Sequence, residues 1–385
     1  FPESVYFHIG MDETRQLGQC PRCKRQIGRN GNPLDVYLDY LGKLCSHVKG
    51  RGYIPVFWDD MISRSEAGSR LKKLPAGAAV MVWLYNMSKE SLIVDVDHTW
   101  YGQRELFDHD YLQGQRWHPI RHSKWLDDMS AESKAKYVMP IKGTPFLNSN
   151  PYLELLSAQG TEVFGAAAAK SSIENNFLPD LALRLDNIIA WGSKIAATKQ
   201  TGVVSTAWSR RNSLAYPGQP IDAMWYTMCA SAQFYWSATG ASVKQFQTVF
   251  DREFFGVDDD GFIAQTLEAV TSVASNAALA ELNRKTVSRN EAVWRTHQLL
   301  GQLSISMKRA LTSLPRHLFS LYPKNHPYAE QANSFAASIA QELTTMRQLQ
   351  PEAETYYRSV MLPEDAQEMI DSHFGSLDRL MLGLE

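Results

Sequence analysis

Phe7-His8-Ile9-Gly10-Met11-Asp12-Glu13-Thr14 sets two adjacent carboxylates at the end of a short apolar strand, and the rest of the chain reads as support for them. The run Val5 to Ile9 is β-branched and aromatic. A period of two puts Tyr6, His8, Gly10 and Asp12 on one face, with Phe7, Ile9 and Met11 on the other. Gly10 leaves room for a ligand or a close backbone. Glu13 falls where the strand gives way to Thr14-Arg15-Gln16, so a small backbone rotation turns both acids toward one cleft. In such a pair Asp12 stays ionised and its charge raises the pKa of Glu13, which is the protonated state a general acid needs. Taken alone, Asp-Glu also fits an acidic helix-capping turn. His8 and Gly10 in register, together with the later segments, favour the site.

Working outward, a polar loop is expected over Gln19 to Asn32, then a helix over Asp35 to Lys49 with Val36, Leu38, Leu41, Leu44, Cys45 and Val48 as its apolar stripe. Tyr53 to Trp58 is the next strand, ending in Trp58-Asp59-Asp60-Met61, so strand, helix and strand form a βαβ unit. A helix near Ser65 to Lys73 leads to a third strand, Ala79 to Tyr85. Residues 95 to 150 are less regular, and their histidines His98, His109, His118 and His122 do not repeat at ligand spacing. A rim loop over the site is a second reading of this stretch. The alternation of strand and helix resumes with a short helix at Tyr152 to Leu156, a strand from Glu162 to Ala167 running into Lys170, a helix over Leu181 to Lys199, and a last strand from Gly202 to Arg210.

His8-Ile9-Gly10-Met11-Asp12-Glu13 resembles the His-x-Gly-Gly-Asp-Glu signature of the family-20 glycoside hydrolases, the β-N-acetylhexosaminidases. Trp58-Asp59-Asp60-Met61, Val82-Trp83-Leu84-Tyr85, the small-residue strand ending at Lys170 and Thr206-Ala207-Trp208-Ser209-Arg210 are similar to its hexosaminidase D branch in order and spacing. The resemblance implies a (β/α)8 TIM barrel of which strands four to eight are present, over residues 1–237. Beyond it, long amphipathic segments without strand signal, Val243 to Phe254, Phe262 to Leu282, Glu291 to Leu314, Tyr328 to Leu349 and Pro363 to Leu384, read as an α-helical C-terminal domain over residues 238–385. Opening at Phe1 inside a catalytic strand, the chain is expected to lack its natural N-terminus, strands one to three and any targeting segment.

The implied activity is exo-acting removal of terminal β-linked N-acetylgalactosamine or N-acetylglucosamine with retention. The substrate's own acetamido group is the nucleophile, an exception to the two-carboxylate scheme. Glu13 is then the acid/base and Asp12 the group that orients and stabilises the acetamido function. His8, Trp58, Asp59, Trp83, Tyr85 and Trp208 are the candidate substrate-binding residues; Tyr85 is a candidate for the hydroxyl that relatives place on the seventh strand. The sequence departs from the family in Met11, where many relatives have a second glycine, and in lacking the Trp-x-Glu of the last strand. A noncatalytic sugar-binding or interaction protein derived from such an enzyme is the alternative.

A net charge of -2, from 39 basic and 41 acidic residues, gives no electrostatic case for nucleic acid or an anionic membrane. No run of 18 apolar residues exists to span a bilayer. Partners are expected to be N-acetylhexosamine-terminated glycans, with a homodimer among the arrangements open to the helical half. No cofactor is expected, and the resemblance suggests a cytoplasmic or nuclear setting. The sequon Asn86-Met87-Ser88 follows the third strand at the expected pocket mouth, where a glycan would crowd the substrate, so it is expected to be unused, consistent with that setting. Four cysteines are too few for a disulfide framework. Cys20-Pro21-Arg22-Cys23 has CxxC spacing and, with Cys45 and His47, offers four ligands for zinc, but zinc ribbons repeat CxxC, so reduced cysteines in a surface loop and no metal are the preferred reading. Asp258-Asp259-Asp260-Gly261 lacks the other ligands of a calcium loop and reads as a turn that caps the next helix.

Five strands leave two open sheet edges. Expressed alone, residues 1–385 are accordingly expected to be poorly stable and inactive; cooperative thermal unfolding together with full turnover would refute the strand count.

Overall fold

The computed structural model describes residues 3–14, 16–28, 31–63, 73–85, 93–98, 103–108, 131, 135, 138–141, 144–147, 156–157, 160–171, 177–198, 200–208, 220–238, 240–273, 275–320, 332–375 and 377. It divides into two compact units, Phe1–Ala167 with Ile189–Val204, and Ala168–Ile188 with Ser205–Glu385.

The first unit is organised by the expected strands β1 (Tyr6–His8), β2 (Ile54–Trp58) and β3 (Ala79–Trp83). The four-stranded insertion β4 (Ile93–His98), β5 (Gln103–Asp108), β6 (Val138–Ile141) and β7 (Thr144–Leu147) follows, then β8 (Glu162–Lys170) and β9 (Gly202–Ala207), of which residues 162–167 and 202–204 belong to this unit. The main sheet has the order β1-β2-β3-β8-β9, with parallel registers Tyr6↔Ile54, Val56↔Ala79 and Ala79↔Glu162. Sequential parallel strands are part of a β/α barrel, and β1 and β9 stand at the ends of the order, so the barrel is not closed. Pro55 to Trp58 are all buried, as a parallel strand covered on both faces requires.

Helix Pro33–Lys49 starts two residues earlier than expected because Asn32 caps it, its Oδ1 accepting the Leu34 N–H at 2.8 Å, with Pro33 in the first turn. Its buried stripe is Leu34, Tyr37, Leu38, Leu41, Cys45 and Val48. Tyr37 therefore takes the place expected for Val36, with consequences for the site. Helix Leu181–Thr198 docks through Trp191, which is fully buried and donates from Nε1 to the Leu84 carbonyl at 3.0 Å. A Cβ at Gly165 would lie 2.5 Å from that ring, so the small-residue strand β8 is shaped to admit it.

In the stretches between the strands of the main sheet, two elements depart from expectation. Pro21–Ile27 is helical where a polar loop was expected. The stretch read as irregular contains a second, antiparallel sheet of order β5-β4-β7-β6, in which β4 and β5 pair from Ile93↔Asp108 to His98↔Gln103. The expected helix at Ser65 to Lys73 lies outside the described residues except for Lys73, and that at Tyr152 to Leu156 except for Leu156. Asn86-Met87-Ser88, Ser209, Arg210, His109, His118 and His122 also lie outside them.

In the second unit the helices are Trp225–Trp236, Val243–Phe250, Phe262–Val273, Asn276–Arg284, Glu291–Ser320, Ala332–Val360 and Pro363–Phe374. The single helix expected over Phe262 to Leu282 is interrupted because Ser275 caps a new one, its Oγ accepting the Ala278 N–H at 3.1 Å. Asp251, fully buried, caps Phe262–Val273 with hydrogen bonds from the Ile263 and Ala264 amides at 2.8 and 3.0 Å. The core includes Leu300, Leu303, Ile339, Met346, Tyr357, Met369 and Phe374. Helix Ala332–Val360 continues past its expected end at Leu349 and through Pro351. A helix-interior proline costs about 3 kcal/mol; burial of Ala353 and Tyr357 in the next turns offsets it.

His373 is buried in this core, with Nδ1 3.0 Å from Tyr357 Oη and its ring 4.3 Å from that of Phe177. Burial pushes its pKa down to about 3, and burial also lowers that of His297. Each folded pKa is below the unfolded value, so the unfolded chain binds more protons and each histidine destabilises the fold as pH drops below about 6.5, by about 1.4 kcal/mol per pH unit. His373→Gln, which retains a partner for Tyr357, should flatten the fall in denaturation midpoint between about pH 6 and 4 by about one proton's worth; an unchanged slope would show that His373 does not titrate on unfolding.

Candidate active site

The Asp-Glu pair sits on a strained turn rather than on an extended strand. The Ile9 N–H still bonds the Val56 carbonyl at 2.8 Å, and the Trp58 N–H reaches the Gly10 carbonyl at 3.0 Å. Beyond that point Gly10, Met11 and Glu13 have φ of 71°, 74° and 42°. The alternation expected to align Gly10 and Asp12 with His8 therefore ends at His8. Met11 occupies a left-handed position that glycine takes without penalty and that costs another residue about 1–2 kcal/mol. The second glycine of the resembled signature thus supplies backbone freedom, which facing away from the cleft would not replace.

Two buried groups hold this turn. Tyr37, on helix Pro33–Lys49, donates its hydroxyl to the Met11 carbonyl at 2.9 Å. Its phenol is raised above the ordinary value by burial and then by the carboxylates of Asp60, Asp59 and Asp12, so it remains a donor. Asp60, 1% exposed, accepts the Glu13 N–H at 2.8 Å. Its neighbour Asp59 is also buried and accepts the Trp83 N–H at 3.1 Å, tying the end of β2 to the end of β3. Asp12 and Glu13 are half-buried, oriented by a main chain bonded on both sides.

His8 stands at the start of the turn with its ring 4.7 Å from Trp58, and its Nδ1 accepts the Gly10 N–H at 3.1 Å. That bond puts the proton of the neutral ring on Nε2. Burial against its neighbours lowers the His8 pKa, and the Asp12 charge opposes this; the ring is nonetheless solvent-accessible. Trp58 is buried, whereas Trp83 and Tyr85 are half-buried and stack with centroids 5.0 Å apart. Asp12, Glu13, His8, Trp58, Asp59, Trp83 and Tyr85 all belong to the first unit. Trp208 belongs to the second, where its N–H bonds the Lys170 carbonyl at 3.2 Å and its carbonyl accepts from Lys170 Nζ at 2.7 Å.

Neither Tyr37 nor Asp60 is among the site residues expected from the sequence. The available signals were an aromatic within the apolar stripe and a second acid at the C-terminal end of an apolar strand. Among the described residues no group of three or more His, Cys, Asp or Glu is arranged to hold a metal ion. No helix among them is long and apolar enough to cross a membrane.

Residues 1–117 match the family model of the glycosyl hydrolase family 20 catalytic domain. The matched segment contains the turn, Tyr37 and the Asp59-Asp60 pair, and it supports a hexosaminidase-type glycoside hydrolase acting on glycans. No curated protein matches the chain.

If the turn is set by these bonds, Asp60→Ala and Tyr37→Phe should each cost about 1 kcal/mol of stability, because a part-buried backbone group loses its partner. Both should lower kcat more than they raise KM on an aryl glycoside. Unchanged unfolding midpoints for both would show that the turn holds itself.

Proposed function

We propose that this chain is an exo-β-N-acetylhexosaminidase that releases terminal N-acetylgalactosamine or N-acetylglucosamine by substrate-assisted, retaining catalysis. The observation that carries the reading is the clamped turn presenting Asp12 and Glu13 within the segment that matches the glycosidase model. Glu13 protonates the glycosidic oxygen as the acetamido carbonyl oxygen attacks the anomeric carbon. The leaving group departs, and an oxazolinium ring carries the positive charge. Asp12 holds the acetamido nitrogen and stabilises that charge; Glu13, now ionised, takes a proton from the water that reopens the ring. His8 supports Asp12, Trp208 walls the sugar, and Trp58, Asp59, Trp83 and Tyr85 contribute contacts around it. In this reading the barrel portion is residues 1–237 and the helical domain residues 238–385, which serves packing or homodimer assembly, and the enzyme works in the cytoplasm or nucleus without a cofactor.

Adjacent acids with distinct roles should fail differently. Asp12→Asn should lose about a hundred- to thousand-fold in kcat on N-acetylated substrates, since an amide does not balance the developing charge. Glu13→Gln should lose most with poor leaving groups and least with activated aryl glycosides, which need little protonation. A thiazoline mimic of the intermediate should inhibit the wild type strongly and Asp12→Asn weakly. A sugar trapped covalently on either acid, or equal thiazoline inhibition of both proteins, would refute the mechanism; sugar binding without turnover by a protein that carries all the barrel strands would refute the enzyme.

A further inference from the structure

All four cysteines are reduced, and they fall into two classes. Cys45 is buried on helix Pro33–Lys49 and burial pushes its thiol up to about 11. Cys229 is half-buried in the second unit, and burial raises its thiol as well. Cys20 is exposed and Cys23 is partly so. These two are also in contact, with the Cys23 N–H donating to Cys20 Sγ at 3.3 Å.

The backbone suits a bond between them. Cys20 is extended, at φ -72° and ψ 155°, and Cys23 lies in the first turn of Pro21–Ile27. Residues three apart around a helical turn have Cα atoms about 5 Å apart, inside the range of roughly 4.4–6.8 Å that a disulfide spans. Pro21 fixes its own φ and so keeps the turn that holds the Cys23 amide against Cys20 Sγ. The Cys20 thiol is held below its ordinary value, first by the Cys23 amide, then by the Cys23 thiol and by the backbone and charge of Arg22.

We propose that Cys20 and Cys23 form a reversible dithiol–disulfide site that is oxidised by low-molecular-weight disulfides of the glutathione type. The Cys20 thiolate attacks one sulfur of the small disulfide, forming a mixed disulfide and expelling one thiolate, which takes up the proton Cys20 gave up. Cys23 then loses its proton and attacks Cys20 Sγ, forming the protein disulfide and expelling the second small thiolate, which that proton neutralises. Two protein thiols and one small disulfide thus become one protein disulfide and two small thiols. Cys45 and Cys229 are kept out of this chemistry by burial and by their raised thiols. The site is independent of the glycosidase reading, since its readout is sulfur chemistry alone.

The full chain, reduced and then equilibrated in glutathione buffers of graded redox ratio, is quenched with iodoacetamide and its cysteine peptides are weighed. A Cys20–Cys23 disulfide should form and reverse with the ratio, while Cys45 and Cys229 stay thiols. In the reduced protein Cys20 should be alkylated about tenfold or more faster than Cys45. Cys23→Ser should stop the reaction at glutathione on Cys20, and Cys20→Ser should abolish the fast step; far-UV circular dichroism identifies any variant that fails to fold. Absence of the disulfide in the most oxidising buffer, equal labelling of all four cysteines, or one equivalent of tightly bound zinc that Cys20→Ser removes would each overturn the proposal.

Discussion

The first unit depends on a backbone conformation that its sequence disfavours locally. Three of the four residues from Gly10 to Glu13 have positive φ, and two of those are not glycine. At about 1–2 kcal/mol for each non-glycine residue, the strain is comparable with the net worth of the hydrogen bonds that hold the turn, about 1 kcal/mol apiece. Those bonds come from separate elements: the Trp58 amide of β2 on Gly10, Tyr37 of the first long helix on Met11, and Asp60 beyond β2 on Glu13. Asp59 then ties the same strand end to β3. The buried face of helix Pro33–Lys49 is thus more than packing, since it delivers a phenol to a carbonyl that the turn would otherwise leave exposed to competition from water. Strain of this kind persists only where the surroundings over-determine it, and it collects where chemistry needs a fixed geometry.

Much of this framework was legible in the sequence. The runs expected at Val5 to Ile9, Tyr53 to Trp58, Ala79 to Tyr85, Glu162 to Lys170 and Gly202 to Arg210 contain the five strands of the parallel sheet in the expected order, with β3 and β9 ending at Trp83 and Ala207. The Asp12-Glu13 pair was legible as adjacent acids at a strand end. Its conformation was not, because side-chain alternation carries no information about a residue forced to positive φ by partners 26 and 47 positions away, as Tyr37 and Asp60 are. Likewise the capping of Pro21–Ile27 by a cysteine, a residue with weak acceptor sulfur, gave no ordinary helix-start signal. The inserted sheet had a signal that was overlooked, the alternation Val94-Asp95-Val96-Asp97 within β4. Helix Trp225–Trp236 has large apolar side chains on every side and so lacks the stripe by which helices are read.

The second unit is built on a different principle. Its core is aliphatic and aromatic, and its polar interior residues serve as local caps and clasps: Asp251 on a helix start, Ser304 on the Leu178 amide at 3.0 Å, and Thr271 on the Leu181 amide at 3.1 Å. Buried polar groups of this kind stabilise only when their bonds are made, so they fix register among helices that hydrophobic burial alone would let slide. The first unit gathers Tyr37, Asp59 and Asp60 at the turn and the adjoining strand end, whereas the second distributes such groups along its helix contacts.

The insertion of β4 to β7 between β3 and β8 bears on the chain entropy that assembly of the main sheet must overcome. Ala79 pairs with Glu162, and the four intervening strands pair among themselves through two antiparallel hairpins. Bringing β3 to β8 means closing a loop of roughly 80 residues, which by chain statistics costs about 1 kcal/mol more than closing one of 20. Hairpins form in about 1–10 μs and collapse over longer separations is slower. The insertion can therefore organise first and shorten the effective loop, so that an addition to the barrel assists its assembly by drawing together the strand ends on either side of it.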